Sequence, residues 1–247
     1  MLWEWLMQPV DLSRTHDIGF YVSWHGRLMV FAWGVCVPLA VFIARFFKIL
    51  PWQDWPRELD NPTWWRSHLR LQTVTIVLSA VGLLMILAAN QSKQDSSLHV
   101  ILGYAVLALA GIQVLSGLFR GSKGGPTAPA ADGSLAGDHY NMSHRRILFE
   151  MLHKSMGYIA LLAGLVTIFL GLWIANAPHW MWLSLVLWLG LLIALSIFLQ
   201  LRYGSYETYQ AIWGPDQRHP GNLLPSNGWG MTRPGHATKV WSKRRNQ

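Results

Sequence analysis

The sequence predicts an all-α integral membrane protein, with a four-helix bundle that holds a planar cofactor and a fifth transmembrane helix beside it. Three observations predict this. The chain of 247 residues is 52% hydrophobic and only 13% charged, where a soluble domain carries about 25% charged residues. Its apolar residues fall into five runs, each near the length of about 20 residues that crosses a bilayer. Four consecutive runs each carry one histidine near an end. Mean hydropathy is +0.25. The net charge of +8 fits the basic loops of a membrane protein, so no nucleic-acid partner is expected. Cys36 is the single cysteine, which rules out a disulfide framework within the chain.

Residues 1–23 are interrupted by Glu4, Pro9, Asp11 and Asp17 and are too short to span. Leu2, Trp3, Trp5 and Leu6 suit a segment lying in the membrane interface. The start lacks the basic region and small-residue site of a cleavable signal, so it is expected to be retained. The first span covers residues 24–46, followed by Lys48. Pro38 lies inside it and is expected to kink or loosen the helix. Residues 51–67 are rich in Pro and Trp and read as an ordered interfacial loop. The second span covers residues 67–89, and a polar turn follows. The third covers residues 98–120, LHVILGYAVLALAGIQVLSGLFR, with Gln113 inside and Arg120 at its end. Residues 121–143 are rich in Gly, Ala, Pro and Ser and read as a flexible loop. The fourth span covers about 148–175. After a tight turn at NAPHW, the fifth ends near residue 201. Residues 202–247 are polar and read as an extended arm. The expected division is therefore an interfacial segment (1–23), a core (24–175), a fifth helix (176–201) and an arm (202–247).

Basic residues set the expected orientation. Lys48, Arg57, Arg66, Arg70, Arg120, Lys123, Arg145, Arg146, Lys154, Arg202 and the basic end of the chain fall on one side of the five spans. Arg14, Arg27 and Lys93 fall on the other. The positive-inside rule makes the first side cytoplasmic, with the N-terminus outside and the C-terminus inside a plasma (inner) membrane.

With that orientation, His25 and His99 begin the first and third spans and lie near the outer face. His68 begins the second span, His153 lies in the first turns of the fourth, and both lie near the inner face. In an up-down bundle, helices one and three are diagonal, as are two and four. Each diagonal pair can clamp a planar ligand. Haem b fits, because imidazole is a common axial ligand to haem iron and two imidazoles leave no open position, which favours electron transfer. Gly103 follows His99 by four residues and Gly157 follows His153 by four. Each shares a helix face with its histidine and leaves room for a macrocycle. Arg66, Arg70, Arg120 and Arg145, with Arg146 and Lys154, are candidates to hold propionates at the inner pair. His16, His139, His144, His179, His219 and His236 fall in expected loops or tails. No Cys or His cluster has the spacing of a zinc site. No acidic residue is expected inside a span, which argues against a proton or cation path. Serine-hydrolase, P-loop and dinucleotide signatures are absent.

The stretches HGRLMVFAWGVCVPLAVFIARFFK, HVILGYAVLALAGIQVLSGLFR and HKSMGYIALLAGLVTIFLGL resemble the histidine helices of the cytochrome b561 and ferric-reductase-like transmembrane family. The resemblance covers about residues 20–175 and rests on His25, Gly26, Leu28, Met29, His99, Gly103, Gln113, Gly117, His153 and Gly157. It implies two b haems, one on His25 with His99 and one on His68 with His153. It also implies electron transfer across the membrane, in some members from ascorbate. Helix rise alone would place the two irons roughly 20 Å apart. The fifth span and the arm lie outside the resemblance. The expected function is therefore an electron relay, an oxidoreductase role left undecided, from a quinol or an ascorbate-like small reductant to a redox partner. The alternative is a cytochrome subunit that docks in a larger complex through its N-terminal segment and C-terminal arm.

Overall fold

The computed structural model describes residues 1–16, 18–89, 97–120 and 143–233. Asp17, Lys93, Lys123, His139, His236 and the basic end of the chain lie outside the described residues, with nearly all of the expected 121–143 loop and of the polar turn before it. Five helices are long and apolar enough to cross a membrane: Phe20–Phe46, Thr63–Ala88, Leu98–Leu118, His144–Ile174 and His179–Arg202. The first is composite, made of α2 (Phe20–Met29), a π-helical stretch (Val30–Cys36) and α3 (Val37–Phe46), after a short α1 (Leu2–Met7). The others are α4 (Thr63–Ala88), α5 (Leu98–Leu118), α6 (His144–Ile174) and α7 (His179–Arg202). The chain is a multi-pass integral membrane protein. Large apolar side chains such as Leu84, Ile101, Leu162 and Leu187 are exposed, as expected where the surrounding solvent is lipid. Small residues line the helix contacts instead.

The loosening expected from Pro38 is present as the π-helical stretch that ends two residues before it. Proline has no N–H and its ring crowds the carbonyl four residues back. That carbonyl belongs to Gly34, and it accepts a hydrogen bond of 2.9 Å from the indole N–H of Trp188. Two helix starts differ from expectation. α6 begins at His144, before residue 148, and α7 begins at His179, which composition had left in a turn. His179 is held there by Gln8, whose carbonyl accepts from its backbone N–H at 3.1 Å, and its ring stacks on Trp5 at 4.3 Å.

The expectation that no acidic residue lies inside a span fails at Glu150 in α6. The carboxylate is buried, and its charge is met one turn later by Lys154 and by the Thr208 hydroxyl, which donates at 2.9 Å.

The chain divides into two compact units. The first comprises Met1–Ala40, Leu69–Gly111 and Gly157–Ala194. Here Trp33 donates to Ser79 Oγ at 3.0 Å and its ring fills the space beside Gly164, where a Cβ would lie 2.7 Å from Trp33 Cε3. Asn176 ties the segment before α2 to the end of α6, accepting from Asp11 N at 3.0 Å and donating to the Arg14 carbonyl at 2.8 Å.

The second unit comprises Val41–His68, Ile112–Met156 and Leu195–Gln247. It corrects the reading of the C-terminal arm, because residues 203–233 are folded. β1 (Ser205–Tyr206) pairs in parallel with β2 (Met231–Thr232), a two-residue ladder in an otherwise helical fold. α8 (Thr208–Trp213) is buried throughout, and α9 (Pro220–Leu223) follows. Tyr206 and Ala211 pack with Ile49, Trp55 and Leu59, while Tyr209 and Trp213 pack with Ile147. Glu207, fully buried, binds Arg233 at 2.8 Å. His219, expected in a solvated tail, is buried. Its ring stacks on Trp213 at 4.6 Å, and its Nδ1 accepts from Gly221 N at the start of α9. The 51–67 loop is ordered as expected, with Gln53 and Trp55 buried.

Candidate functional site

His25 on α2 and His99 on α5 stand with ring centres 6.3 Å apart and planes at 80°. Backbone carbonyls orient both rings. His25 Nδ1 is 2.8 Å from Gly82 O, and His99 Nδ1 is 3.0 Å from Thr167 O. A carbonyl can only accept, so each Nδ1 carries the proton and each Nε2 keeps its lone pair. This is the arrangement in which protein holds a metal-binding imidazole by its other nitrogen. Two glycines make it sterically possible. Gly82 admits Met29 Cε at 3.0 Å from where a Cβ would sit, and Gly171 admits His99 Cε1 at the same distance. At Gly103 the nearest group to such a Cβ is Thr167 Cγ2 at 4.0 Å, so the space beside it is open.

His68 on α4 and His153 on α6 form the second pair, with ring centres 6.4 Å apart and planes at 71°. His153 Nδ1 is buried without a hydrogen-bond partner among the described residues. Gln113 Nε2 donates to the His153 carbonyl at 2.9 Å, locking the backbone of α6 at the histidine. Gly157 lies one turn beyond His153 on the same helix.

Metal–imidazole bonds are about 2.0–2.1 Å long, and the nitrogen of a ring with C–N bonds of about 1.33 Å lies about 1.1 Å from its centre. Two imidazoles on opposite sides of one ion therefore have centres about 6.3 Å apart. Both pairs match. The residues present fit a b haem between two imidazoles, and among the described residues no cluster of three or more His, Cys, Asp or Glu competes for a metal.

The basic candidates divide by position. Arg66 and Arg70 are exposed, because residues two apart from His68 on α4 point away from its face. Arg145 is also exposed. Arg120 is half-buried, and its guanidinium lies 3.9 Å over the Trp65 ring. Burial and the neighbouring charge of Arg146 hold it below the usual guanidinium range. Arg146, which sequence reasoning left among several basic residues, is buried. It donates to the hydroxyl of Tyr209 and to the Arg120 carbonyl at 3.2 Å. Burial pushes the Tyr209 phenol above its usual range. Lys48 is buried as well and donates to Tyr206 O at 2.8 Å, and burial lowers its pKa to about 7.

Sequence reasoning missed Gly171, Thr167, Trp65 and Phe149. Trp65 and Phe149 stand three and four residues before their histidines, a helical spacing that could have found them. Gly171 faces a histidine on another helix, and no local pattern announces it.

Residues 24–123 match the family described as eukaryotic cytochrome b561. Over these residues the chain is similar to the cytochrome b561 family. The matched stretch holds His25, His68 and His99, and His153 lies beyond it. Among curated relatives, a cytochrome b561, DM13 and DOMON domain-containing protein of Arabidopsis thaliana is 27% identical over 65% of this chain and 15% of its own length. Human ferric-chelate reductase 1 is 28% identical over 66% of this chain and 24% of its own. A cytochrome b561 and DOMON domain-containing protein of Arabidopsis thaliana is 27% identical over 73% of this chain and 40% of its own. The chain thus spans well under half the length of these relatives. No solved structure matches it. Members of the family that these residues resemble bind haem b.

Proposed function

We propose that the chain carries single electrons across the membrane with two b haems, one gripped by His25 and His99 and the other by His68 and His153. The observation that carries the proposal is the spacing of the imidazole pairs, 6.3 and 6.4 Å between ring centres. Haem, when bound, would supply a one-electron iron couple, held by His25 with His99 and by His68 with His153. The chain's residues do the rest. Gly82 O and Thr167 O fix the imidazole tautomers at one pair, Gln113 fixes the His153 backbone at the other, and the apolar helices keep water away. Arg66, Arg70, Arg120 and Arg145 are the proposed partners for propionates. Arg66, Arg70 and Arg145 offer exposed cations, and Arg120 offers a half-buried one.

The proposed orientation puts the N-terminus outside, the C-terminus in the cytoplasm and the His68/His153 pair near the inner face. Trp64, Trp65, Arg120 and Arg146, with Asp60, line a recess of about 20 Å³, too small to enclose a quinol or ascorbate, so a small reductant of that class is proposed to meet these rings and cations at the surface. The relatives named ferric-chelate reductases make a ferric chelate the acceptor to test first. Mixing the oxidised purified protein with ascorbate or with a quinol, and following the b-type bands, tests the donor. Reduction by neither sinks the small-reductant reading.

A second reading is favoured by one observation: the relatives contain this region as a minor part of longer proteins. In that reading the chain is a cytochrome subunit whose α1 and folded 203–233 region dock on a larger redox complex. Purification in mild detergent separates the two, because a subunit co-purifies with partners and reacts with no small donor alone.

A further inference from the structure

At the His68/His153 pair, each histidine is backed by an aromatic ring of its own helix, and an arginine covers each ring. On α4, the Trp65 ring stacks on His68 with planes at 26° and centres 6.4 Å apart, and the Arg120 guanidinium lies 3.9 Å over Trp65. On α6, the Phe149 ring stacks on His153 with planes at 27° and centres 5.2 Å apart, and the Arg146 guanidinium lies 5.3 Å over Phe149. The two arginines are joined, since Arg146 donates to the Arg120 carbonyl. The other pair is built differently. Its imidazoles are oriented by backbone carbonyls, and on α2 beside it Arg27 lies over Trp24, whose indole is 40% exposed.

We infer that Trp65 with Arg120, and Phe149 with Arg146, are positioning residues that fix the planes of His68 and His153 and raise the reduction potential of the haem held there above that of the haem at His25 and His99. The inference rests on the two-haem reading. Reduction of a haem iron adds one negative charge to the site. Two guanidinium groups held at fixed positions and partly removed from water favour that charge more than mobile surface lysines would, because water screens them less. The rings lie nearly parallel to the imidazoles, at 26° and 27°, so the cations act at constant distance. A guanidinium over an aromatic face is itself a favourable contact in a poorly hydrated site, and among the described residues neither arginine has a carboxylate partner.

The test is a potentiometric titration of the full-length protein followed at the b-type bands, with the low-spin ferric EPR spectrum as a second readout. His25→Ala and His68→Ala variants first assign each titration step to a pair. A His68→Ala protein that keeps its full haem content overturns the two-haem reading and this inference with it. With the steps assigned, R120M is expected to lower the reduced-to-oxidised ratio of the His68/His153 haem about tenfold at fixed ambient potential, about 59 mV for a one-electron couple, and to leave the other haem in place. R120K, which keeps the charge, restores most of the loss. W65L is expected to shift both the potential and the EPR g values of the same haem, and W65F to restore the EPR signal. R120M carries the decision, because R146M also removes an anchor of α8. An R120M protein with full haem content and an unmoved potential, or with both haems shifted equally, overturns the inference.

Discussion

At the residue scale, the four histidines are unequal in what holds them. His99 depends on Gly171, whose missing Cβ leaves room for the imidazole at 3.0 Å. Gly171→Ala is expected to push the ring off Thr167 O and to cost the His25/His99 haem occupancy while sparing the other, read as loss of half the b-type absorbance. Full retention of both haems would remove this role from Gly171. Lys48 gives a pH signature. The unfolded chain keeps its proton to about pH 10.4, and burial lowers the native value to about 7. Between those values the unfolded state binds more protons, so stability rises with pH across the window and sits at its lower level below pH 7. Lys48→Met is expected to abolish that rise, measured as apparent Tm in detergent at pH 7 and pH 9. The histidines were legible in the sequence because their levels in consecutive spans match pairwise. Gly171, Thr167 and the lysine burial were not, because each depends on a partner distant in sequence.

At the element scale, Pro38 and the π-helical stretch form a unit with Trp188. Trp188→Phe leaves the Gly34 carbonyl without its indole donor in a lipid-surrounded helix. The expected loss is about 1 kcal/mol, read as a lower apparent Tm with unchanged haem content. The sequence announced the irregularity through Pro38 but could not name the donor that relieves it. The region 203–233 was read as extended because its Gly, Pro and polar residues break every period. Its fold comes from buried pairs instead of pattern, with Glu207 against Arg233 and Tyr206, Tyr209 and Trp213 as its largest buried side chains. Glu207→Ala leaves the Arg233 guanidinium, 9% exposed, without its carboxylate, a change that costs about 3–5 kcal/mol for a buried pair. Limited proteolysis should then cleave within 203–233 faster than in the parent, with Glu207→Gln intermediate. Equal rates would show that the ion pair does not hold this region. Glu150 is a misreading of another kind. A carboxylate near the start of a long apolar helix is tolerated when Lys154, one turn on, meets its charge.

At the scale of the whole molecule, fold class and membrane residence followed from composition and five apolar runs, and the rings of His25 and His99 and of His68 and His153 stand in pairs. Donor, acceptor and orientation depend on surfaces that composition does not describe. The expected orientation predicts that a cysteine placed at Arg218, in a chain with Cys36→Ala, is labelled by an impermeant maleimide only in inverted vesicles. Labelling in right-side-out cells would reverse the topology. The central claim is that each imidazole pair holds one b haem. Haem content per chain, measured on the purified protein and on His25→Ala and His68→Ala, tests it most directly. The account predicts two haems in the parent and one in each variant, with the surviving haems distinct in potential; a parent with one haem, or either variant still with two, would contradict it.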